Sequence, residues 1–330
     1  MAHWKITLTY DGTPYNGWQI QPALPTVQGT LAQALHRITG ETVLPQGSGR
    51  TDTGVHALAQ VATFSLTVSI PAANLHRALN RALPPSIRVL SVEPAPEDFH
   101  ARHNARRKTY EYRILPSSSE DSEDRICSPM LAPYVWACRL PLELARLQQA
   151  AAHILGTHDF TSFAAVDPDL TTRTRSQQET TQAEATSTHA PVPQDIITND
   201  IITNDIVTTD LSASSIKNSV ISTEVGELAD EVEKPASSNP IPTDNTRTIF
   251  HSTWHQHEDI LIYRITGSGF LHHMVRNLVG TFVEAAANRL SPDAIPKILA
   301  ARDRSAAGPT APARGLFLVE VLYAEAEVEY

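Results

Sequence analysis

Cysteine is nearly absent from this chain of 330 residues, which contains two, Cys127 and Cys138. Two cysteines are too few for a disulfide framework or for a zinc site built on thiolates. No stretch reaches the roughly 18 apolar residues that a membrane span requires. The first residues read as a strand and lack the apolar core of a signal peptide. We therefore expect a globular protein of the cytoplasm that does not associate with membranes.

Aromatic residues are missing from one long segment, since no Phe, Trp or Tyr occurs from residue 164 to residue 249. Residues 167–245 contain fourteen acidic and four basic residues, and so carry the whole formal charge of −10. So few large apolar groups cannot offset the entropy of ordering the segment. We predict an acidic, low-complexity insertion that is disordered or loosely ordered. The alternative is a partner-binding tail whose Ile-rich repeats add a strand to a sheet edge.

Hydrophobic periodicity predicts alternating strands and helices on both sides of this insertion. Helical spacing marks residues 27–38, 72–82, 144–155 and 271–283, and strands are predicted at residues 4–10, 55–66, 87–92, 109–115, 260–266 and 316–322. The strand and helix order repeats in two similar halves. We therefore predict an α+β fold with mainly antiparallel sheets, divided into residues 1–103 and residues 104–330, with the insertion inside the second half.

The first chemical signal lies in residues 47–57, where three glycines occur within eight positions. This spacing indicates a loop with unusual backbone angles or a close backbone approach. Arg50 and Asp52 lie two residues apart, so in an extended loop the guanidinium would favour the ionised carboxylate. An ionised, positioned carboxylate is what nucleophilic attack on a sugar carbon requires. Spacing alone favours a simpler interpretation, a surface turn with an Asx-type hydrogen bond.

A second signal lies in residues 100–113, which combine five Arg or Lys residues with two tyrosines. On a strand, Lys108, Tyr110 and Tyr112 would share one face. Such a face suits phosphate contacts and base stacking. It equally suits an ordinary solvated strand whose tyrosines cover the edge of the core. The candidate phosphate contacts are Arg102, Arg106, Arg107 and Lys108.

A third signal lies in residues 267–280, which open with glycines and run into an amphipathic helix. Arg276 lies on a flank of the apolar stripe, where it would contact a phosphate or carboxylate or form a structural ion pair. His272 and His273 are adjacent, and adjacent side chains on a helix face different directions, so we do not expect them to share a metal. The sequence contains no P-loop, dinucleotide fingerprint or Ser or Cys nucleophile signature. We therefore predict neither a metal nor a cofactor.

Nine collinear motifs, which include the three stretches above, give the chain its resemblance to a known family. They lie at residues 10–19, 27–31, 49–57, 99–102, 108–112, 156–163, 247–249, 270–280 and 315–318. With these motifs the chain resembles the tRNA pseudouridine synthase A family over nearly its whole length, except residues 167–245.

The resemblance implies an enzyme that isomerises uridine to pseudouridine in the anticodon arm of tRNA, at about positions 38 to 40, on an extruded base. Asp52 matches the family's nucleophile, and Arg50 and Arg276 match two arginines that lie close to it. Tyr110 matches a tyrosine thought to stack on the target base and to serve in proton transfer from C5. The implied fold is two ferredoxin-like halves joined through a continuous sheet, active as a homodimer without metal or organic cofactor.

Substrate contacts are expected from the basic residues of the second stretch and from His56 and Phe270. Three other functions remain open from the sequence. The same chemistry on another RNA is one, and a non-catalytic RNA-binding protein is another, although such a protein would be expected to lose Asp52 or Tyr110. A glycoside hydrolase would need a second carboxylate in the Asp52 loop, and none is present.

Overall fold

The computed structural model describes residues 1–117, 126–165 and 244–324. The insertion predicted at residues 167–245 lies outside the described residues, apart from its last two positions. Within the described ranges, no helix has both the length and the apolar character to cross a membrane.

The described residues form ten strands and five helices. The first half of the chain contains β1 (Ala2–Tyr10), α1 (Val27–Thr39), β2 (Gln46–Gly47), β3 (His56–Leu66), α2 (Ala72–Ala82) and β4 (Ile87–Pro94). There follow β5 (Ala105–Pro116), β6 (Trp136–Cys138), α3 (Leu144–Ala152) and β7 (Gly156–Asp159). The last elements are β8 (Thr246–His257), β9 (Ile260–Gly267), α4 (Met274–Ala286), α5 (Ile295–Ala301) and β10 (Leu316–Tyr323).

The ten strands form one sheet in the order β4-β1-β3-β10-β5-β9-β8-β7, with β2 beside β3 and β6 beside β5. Pairing is antiparallel except between β3 and β10 and between β5 and β6, which run parallel. The prediction of a mixed α and β protein with a mainly antiparallel sheet is therefore confirmed. The parallel contact between β3 and β10 joins β1, β2, β3 and β4 to the strands that follow them in the chain.

Helix α1 shows why local sequence sets these elements so clearly. The Thr26 hydroxyl caps its first turn by accepting a hydrogen bond from the Gly29 N–H at 3.2 Å. Gly40 ends it in the left-handed conformation, with φ of 75°. Leu31 and Leu35 lie on one helical face and are fully buried, which contributes roughly 2 kcal/mol each.

Strand β8 is the long element that periodicity does not predict. Its buried residues are Ile249, Ser252 and Trp254, and a bulge interrupts its pairing with β9 between Ile249 and His251. The bulge shifts the inward face by one position, and a serine occupies one of the inward sites. Both features remove the simple alternation that identifies a strand in sequence.

Candidate active site

Asp52 lies in the loop between β2 and β3, and the segment after β1 holds this loop in place. The Trp18 N–H donates a hydrogen bond to the Thr51 carbonyl at 3.0 Å. Gly17 has φ of 81°, and a Cβ there would lie 2.4 Å from the same Thr51 oxygen. Only glycine permits this approach without displacing the loop. The motifs at residues 10–19 and 49–57 are therefore two parts of one structure.

The Asp52 carboxylate is held by a guanidinium from the other end of the chain. Arg276 Nη1 donates to Asp52 Oδ2 at 2.9 Å, and the two side chains are only 15% and 19% exposed. Charge-assisted hydrogen bonds between mostly buried partners are among the strongest in proteins. The structure thus brings together two of the predicted catalytic residues. Arg50 lies two residues before Asp52 in the same loop and is half-buried.

Two imidazoles also face this carboxylate. His272 Nε2 lies 3.6 Å from Asp52 Oδ1, and His273 Nε2 lies 3.4 Å from Oδ2. The ring centroids of the two histidines are 3.9 Å apart. Burial lowers the pKa of His273, against the opposing effect of the Asp52 charge, and this favours its neutral form.

The expectation that the two adjacent histidines diverge is wrong. It assumed that both lie within a helix, but α4 begins only at Met274 and both histidines precede it. His273 has φ of 59°, in the left-handed region, and this turns the chain just before the helix. The two rings therefore reach the same carboxylate.

The loop before β10 fixes the orientation of Arg276. Its Nε donates to the Ala311 carbonyl at 2.8 Å, and the Ala311 N–H donates back to the Arg276 carbonyl at 3.1 Å. The fully buried Asn277 ties the same loop to α4, because its Oδ1 accepts from the Thr310 hydroxyl at 2.6 Å. Sequence reasoning missed this loop, which lies between the last two matched motifs.

An aromatic wall adjoins the carboxylate. Tyr110 is only 7% exposed, and its ring meets that of Phe270 edge to face, with centroids 5.1 Å apart. Burial raises the pKa of Tyr110 far above its ordinary value, and the nearby Tyr10 and Asp52 raise it further. The phenol is therefore neutral at physiological pH. The Tyr10 hydroxyl is hydrogen-bonded to the Thr51 hydroxyl at 2.9 Å.

Cations flank the Asp52 loop. Lys108 Nζ donates to the Ser48 carbonyl at 2.5 Å. Burial lowers the pKa of Lys108 to about 8, and the positive charges of Arg102 and Arg247 lower it further. Arg247, which was not among the predicted contacts, reaches Gly269, where a Cβ would lie 3.7 Å from its Nε. These three basic side chains therefore lie close enough to influence one another.

The remaining predicted contacts divide into exposed and buried residues. Arg102, Arg106 and Arg107 are exposed, and the Arg107 guanidinium lies 4.5 Å from the centre of the Phe250 ring. His56, by contrast, is 1% exposed.

Both nitrogens of His56 have polar neighbours. Its Nδ1 accepts from the Gly12 N–H at 3.1 Å, and its Nε2 lies 3.1 Å from the Pro133 carbonyl. Asp11 Oδ1 also lies 3.2 Å from Nδ1. The ring also stacks on Phe317, with centroids 4.6 Å apart. His56 therefore holds internal loops and presents almost no surface to a substrate.

Comparison with known proteins gives one consistent result. A family model described as tRNA pseudouridine synthase matches residues 6–104 and 233–324. A tRNA pseudouridine synthase A of Solibacter usitatus is 38% identical over 324 residues, which cover 98% of this chain and all of the relative. The protein of the same name from Moorella thermoacetica is 37% identical over 322 residues, covering 97% of this chain and 98% of the relative. This chain therefore belongs to the tRNA pseudouridine synthase family and is an isomerase that converts uridine to pseudouridine.

Proposed function

We propose that the enzyme acts on uridines of the anticodon stem-loop of tRNA, at about positions 38 to 40, with Asp52 as its nucleophile. The observation that carries this proposal is the contact between Asp52 and Arg276 at 2.9 Å. This contact holds the carboxylate in a fixed orientation, and the Asp52 side chain is only 19% exposed. A nucleophile of this kind must be ionised and aimed at one carbon of the substrate.

The reaction exchanges one bond between base and sugar for another. The target uridine leaves the stack and enters the site, where its base lies on the aromatic wall of Tyr110 and Phe270. Asp52 attacks C1′, or assists departure of the base through a glycal, and the bond from C1′ to N1 breaks. The uracil turns, C5 bonds to C1′, the C5 proton is removed and N1 gains a proton. The product is an isomer, so no other reactant is consumed.

Tyr110 is proposed both to stack on the base and to take part in the proton transfer. Its raised pKa means that the phenol enters the reaction with its proton in place. It can accept the C5 proton only if its own proton passes to another group, so it serves as a relay between neighbours rather than as a free base. The ring alone is sufficient for stacking.

The tRNA phosphates are proposed to contact the basic residues around the Asp52 loop. Each phosphate that a Lys or Arg neutralises releases condensed counterions, and this release drives binding. We add Arg247 to the proposed phosphate contacts, because its positive charge lowers the pKa of Lys108 and so lies close to it. The other proposed phosphate contacts are Arg102, Arg106, Arg107 and Lys108.

The strand order also supports a finer description of the architecture. We propose that residues 1–103 and residues 104–330 form two ferredoxin-like halves. The parallel contact between β3 and β10 would be their junction. We further propose that the active form is a homodimer and that the isomerisation requires no metal or organic cofactor.

The test is a carbodiimide-based map of pseudouridine in tRNA treated with wild type, Asp52→Asn or Glu93→Gln. Glu93 is 52% exposed and pairs with Lys5 at 3.2 Å. Its substitution therefore removes one negative charge, as Asp52→Asn does, but from an exposed ion pair that does not include Asp52. We expect modification of the anticodon arm by wild type and Glu93→Gln but not by Asp52→Asn. Modification elsewhere in tRNA would contradict the proposed position. Tight binding of tRNA without modification by any variant would indicate a non-catalytic RNA-binding protein.

A further inference from the structure

Three side chains with metal-ligating atoms converge at the catalytic carboxylate. The ligand atoms of Asp52, His272 and His273 all lie within 4.8 Å of one another. Among the residues that the structure describes, no other set of three His, Cys, Asp or Glu side chains meets this condition. All three side chains are between 19% and 30% exposed, so an ion from solvent can reach them.

The spacing of these atoms fits one coordination geometry. Zinc bonds to imidazole nitrogen and carboxylate oxygen measure about 2.0 to 2.2 Å, so two ligands of a tetrahedral ion lie about 3.3 to 3.6 Å apart. The distance is 3.6 Å from His272 Nε2 to Asp52 Oδ1 and 3.4 Å from His273 Nε2 to Asp52 Oδ2, and one ligand atom from each residue lies within 4.8 Å of the others. A carboxylate that binds through one oxygen therefore needs a small rotation of these side chains to bring both imidazoles to an ion of this size.

The donor set also selects the kind of ion. Mg²⁺ and Ca²⁺ prefer ligand sets made of oxygen atoms. Two imidazoles with one carboxylate suit Zn²⁺ and its neighbours Co²⁺, Ni²⁺ and Cu²⁺. Three protein ligands also leave the fourth position of a tetrahedral zinc ion for water. This is the arrangement of catalytic zinc sites, whereas structural zinc sites have four protein ligands.

One feature opposes binding. Arg276 lies 2.9 Å from Asp52 Oδ2, so a cation at the same carboxylate meets a positive charge already in place. Oδ1 is the oxygen closer to His272 and is the better ligand for an ion. The site should therefore bind its ion reversibly rather than hold it permanently.

We propose that Asp52, His272 and His273 form a reversible site for Zn²⁺ or a similar divalent transition metal ion, and that this ion inhibits the enzyme. A carboxylate whose lone pairs bind a metal cannot attack C1′, so occupancy and catalysis exclude each other. The inhibition rests on the proposed role of Asp52 as nucleophile, whereas the binding of the ion does not.

Binding is tested with Co²⁺ and the full-length, metal-free protein without RNA. Co²⁺ in a site of low coordination number absorbs visible light strongly, whereas the six-coordinate aqueous ion absorbs weakly. We expect saturable absorption for wild type. In His272→Asn and His273→Asn the apparent Kd should rise roughly tenfold or more, because loss of a group that only supports a metal ligand already weakens metal binding by about that factor. Asparagine is chosen because it tolerates the left-handed backbone of His273.

Two further variants separate this site from adsorption to surface histidines. His100 and His103 form another close pair, with ring centroids 4.3 Å apart, and His100→Asn should leave the Co²⁺ titration unchanged. Arg276→Met removes the opposing charge and should tighten Co²⁺ binding. If the titration is the same in His272→Asn, His273→Asn and wild type, the site is refuted. It is equally refuted if His100→Asn alone weakens binding.

The inhibitory role is tested by single-turnover pseudouridine formation at buffered Zn²⁺ concentrations. Wild type should lose activity as Zn²⁺ rises and recover it after chelation. His272→Asn, measured against its own rate without Zn²⁺, should need a roughly tenfold higher concentration for half-inhibition. Unchanged sensitivity in that variant would overturn the inhibition. Co²⁺ binding at the site without any Zn²⁺ inhibition would instead count against Asp52 as the nucleophile.

Discussion

A change of pH can serve as the perturbation for Lys108, because its ammonium group is partly buried beside other cations. Its pKa is lowered to about 8, first by burial and then by Arg102 and Arg247. The free protein should therefore lose this charge between about pH 7 and 9, a range in which ordinary lysines remain protonated. Its Nζ lies 2.5 Å from the Ser48 carbonyl, so the charge disappears at the edge of the Asp52 loop.

The free energy of unfolding should rise with pH as this charge is lost. The pKa of Lys108 is about 8 when folded and 10.5 for the reference group. Below pH 8 both states hold the proton, and the folded state bears the cost of a buried charge. Between pH 8 and 10.5 the folded state releases the proton first, so unfolding takes up a proton and stability increases. The gain from pH 7 to pH 9 is about 1 kcal/mol, out of about 3 kcal/mol for the whole shift.

The affinity for tRNA should change in the opposite direction. A phosphate contact needs the protonated amine. Its fraction in the free protein falls from about nine-tenths at pH 7 to about one-tenth at pH 9. If bound tRNA keeps Lys108 protonated, the affinity should fall about tenfold over this range. Stability and affinity thus respond with opposite signs to one titration.

The assay measures unfolding and tRNA binding at pH 7, 8 and 9 for wild type, Lys108→Met and Lys297→Met. Lys297 is exposed on α5 and serves as the control. Lys108→Met should lose both pH dependences and lower the slope of log affinity against log salt by about 0.7 to 0.9. Buried tyrosines such as Tyr110 also make the free energy of unfolding depend on pH. This contribution is the same in all three proteins, so it cancels when a variant is compared with wild type. The reasoning is refuted if Lys108→Met keeps the pH dependence of the wild type.

Four further outcomes are expected. Asp52→Asn should abolish pseudouridine formation and leave tRNA affinity nearly unchanged, since an amide cannot attack C1′; turnover within about tenfold of wild type, in protein free of deamidation, would contradict this. Tyr110→Phe should lower the single-turnover rate on the order of 10² at near-normal affinity, whereas Tyr110→Ala should lose both rate and affinity; equal rates in all three proteins would exclude either role. Dialysis against EDTA, with Mg²⁺ restored for the tRNA, should preserve or raise activity, and a loss reversed only by a transition metal would refute this. Replacing residues 168–243 with a short Gly-Ser linker should give a folded, active enzyme. The Phe160 N–H donates to the Asn245 carbonyl at 3.1 Å, so the chain on the two sides of the segment is already close enough for a short linker. An insoluble product would show that the segment belongs to the fold.

Local signals explain why much of the fold follows from the sequence. The helix predicted at residues 27–38 is observed at Val27–Thr39, because Thr26 caps its start and Gly40 its end. The helix predicted at residues 72–82 is observed at those same residues. Strand order is different, since no local pattern indicates that β5 lies between β10 and β9. Such pairings depend on contacts between residues far apart in the chain.

The active site shows the same division between local and distant information. The guanidinium observed 2.9 Å from the Asp52 carboxylate belongs to Arg276, which lies 224 residues away in the chain. Only the family resemblance placed Arg276 near Asp52. The position of His272 and His273 depends on one left-handed residue before α4. Periodicity treats such a residue as part of the helix, so it assigns the wrong direction to the side chains.

The junction of the sheet explains why these distant residues meet. β3 and β10 pair through His56 with Phe317 and through Ala57 with Leu318. Asp52 precedes β3 by four residues, and Ala311, whose carbonyl holds Arg276, precedes β10 by five.

On its other edge β10 places Leu318 opposite Tyr110 of β5. The register of β10 therefore sets the positions of the carboxylate, the guanidinium and the phenol at once. A change that shifts this strand by one residue would also turn its side chains to the opposite face. Such a shift would therefore disturb all three groups together.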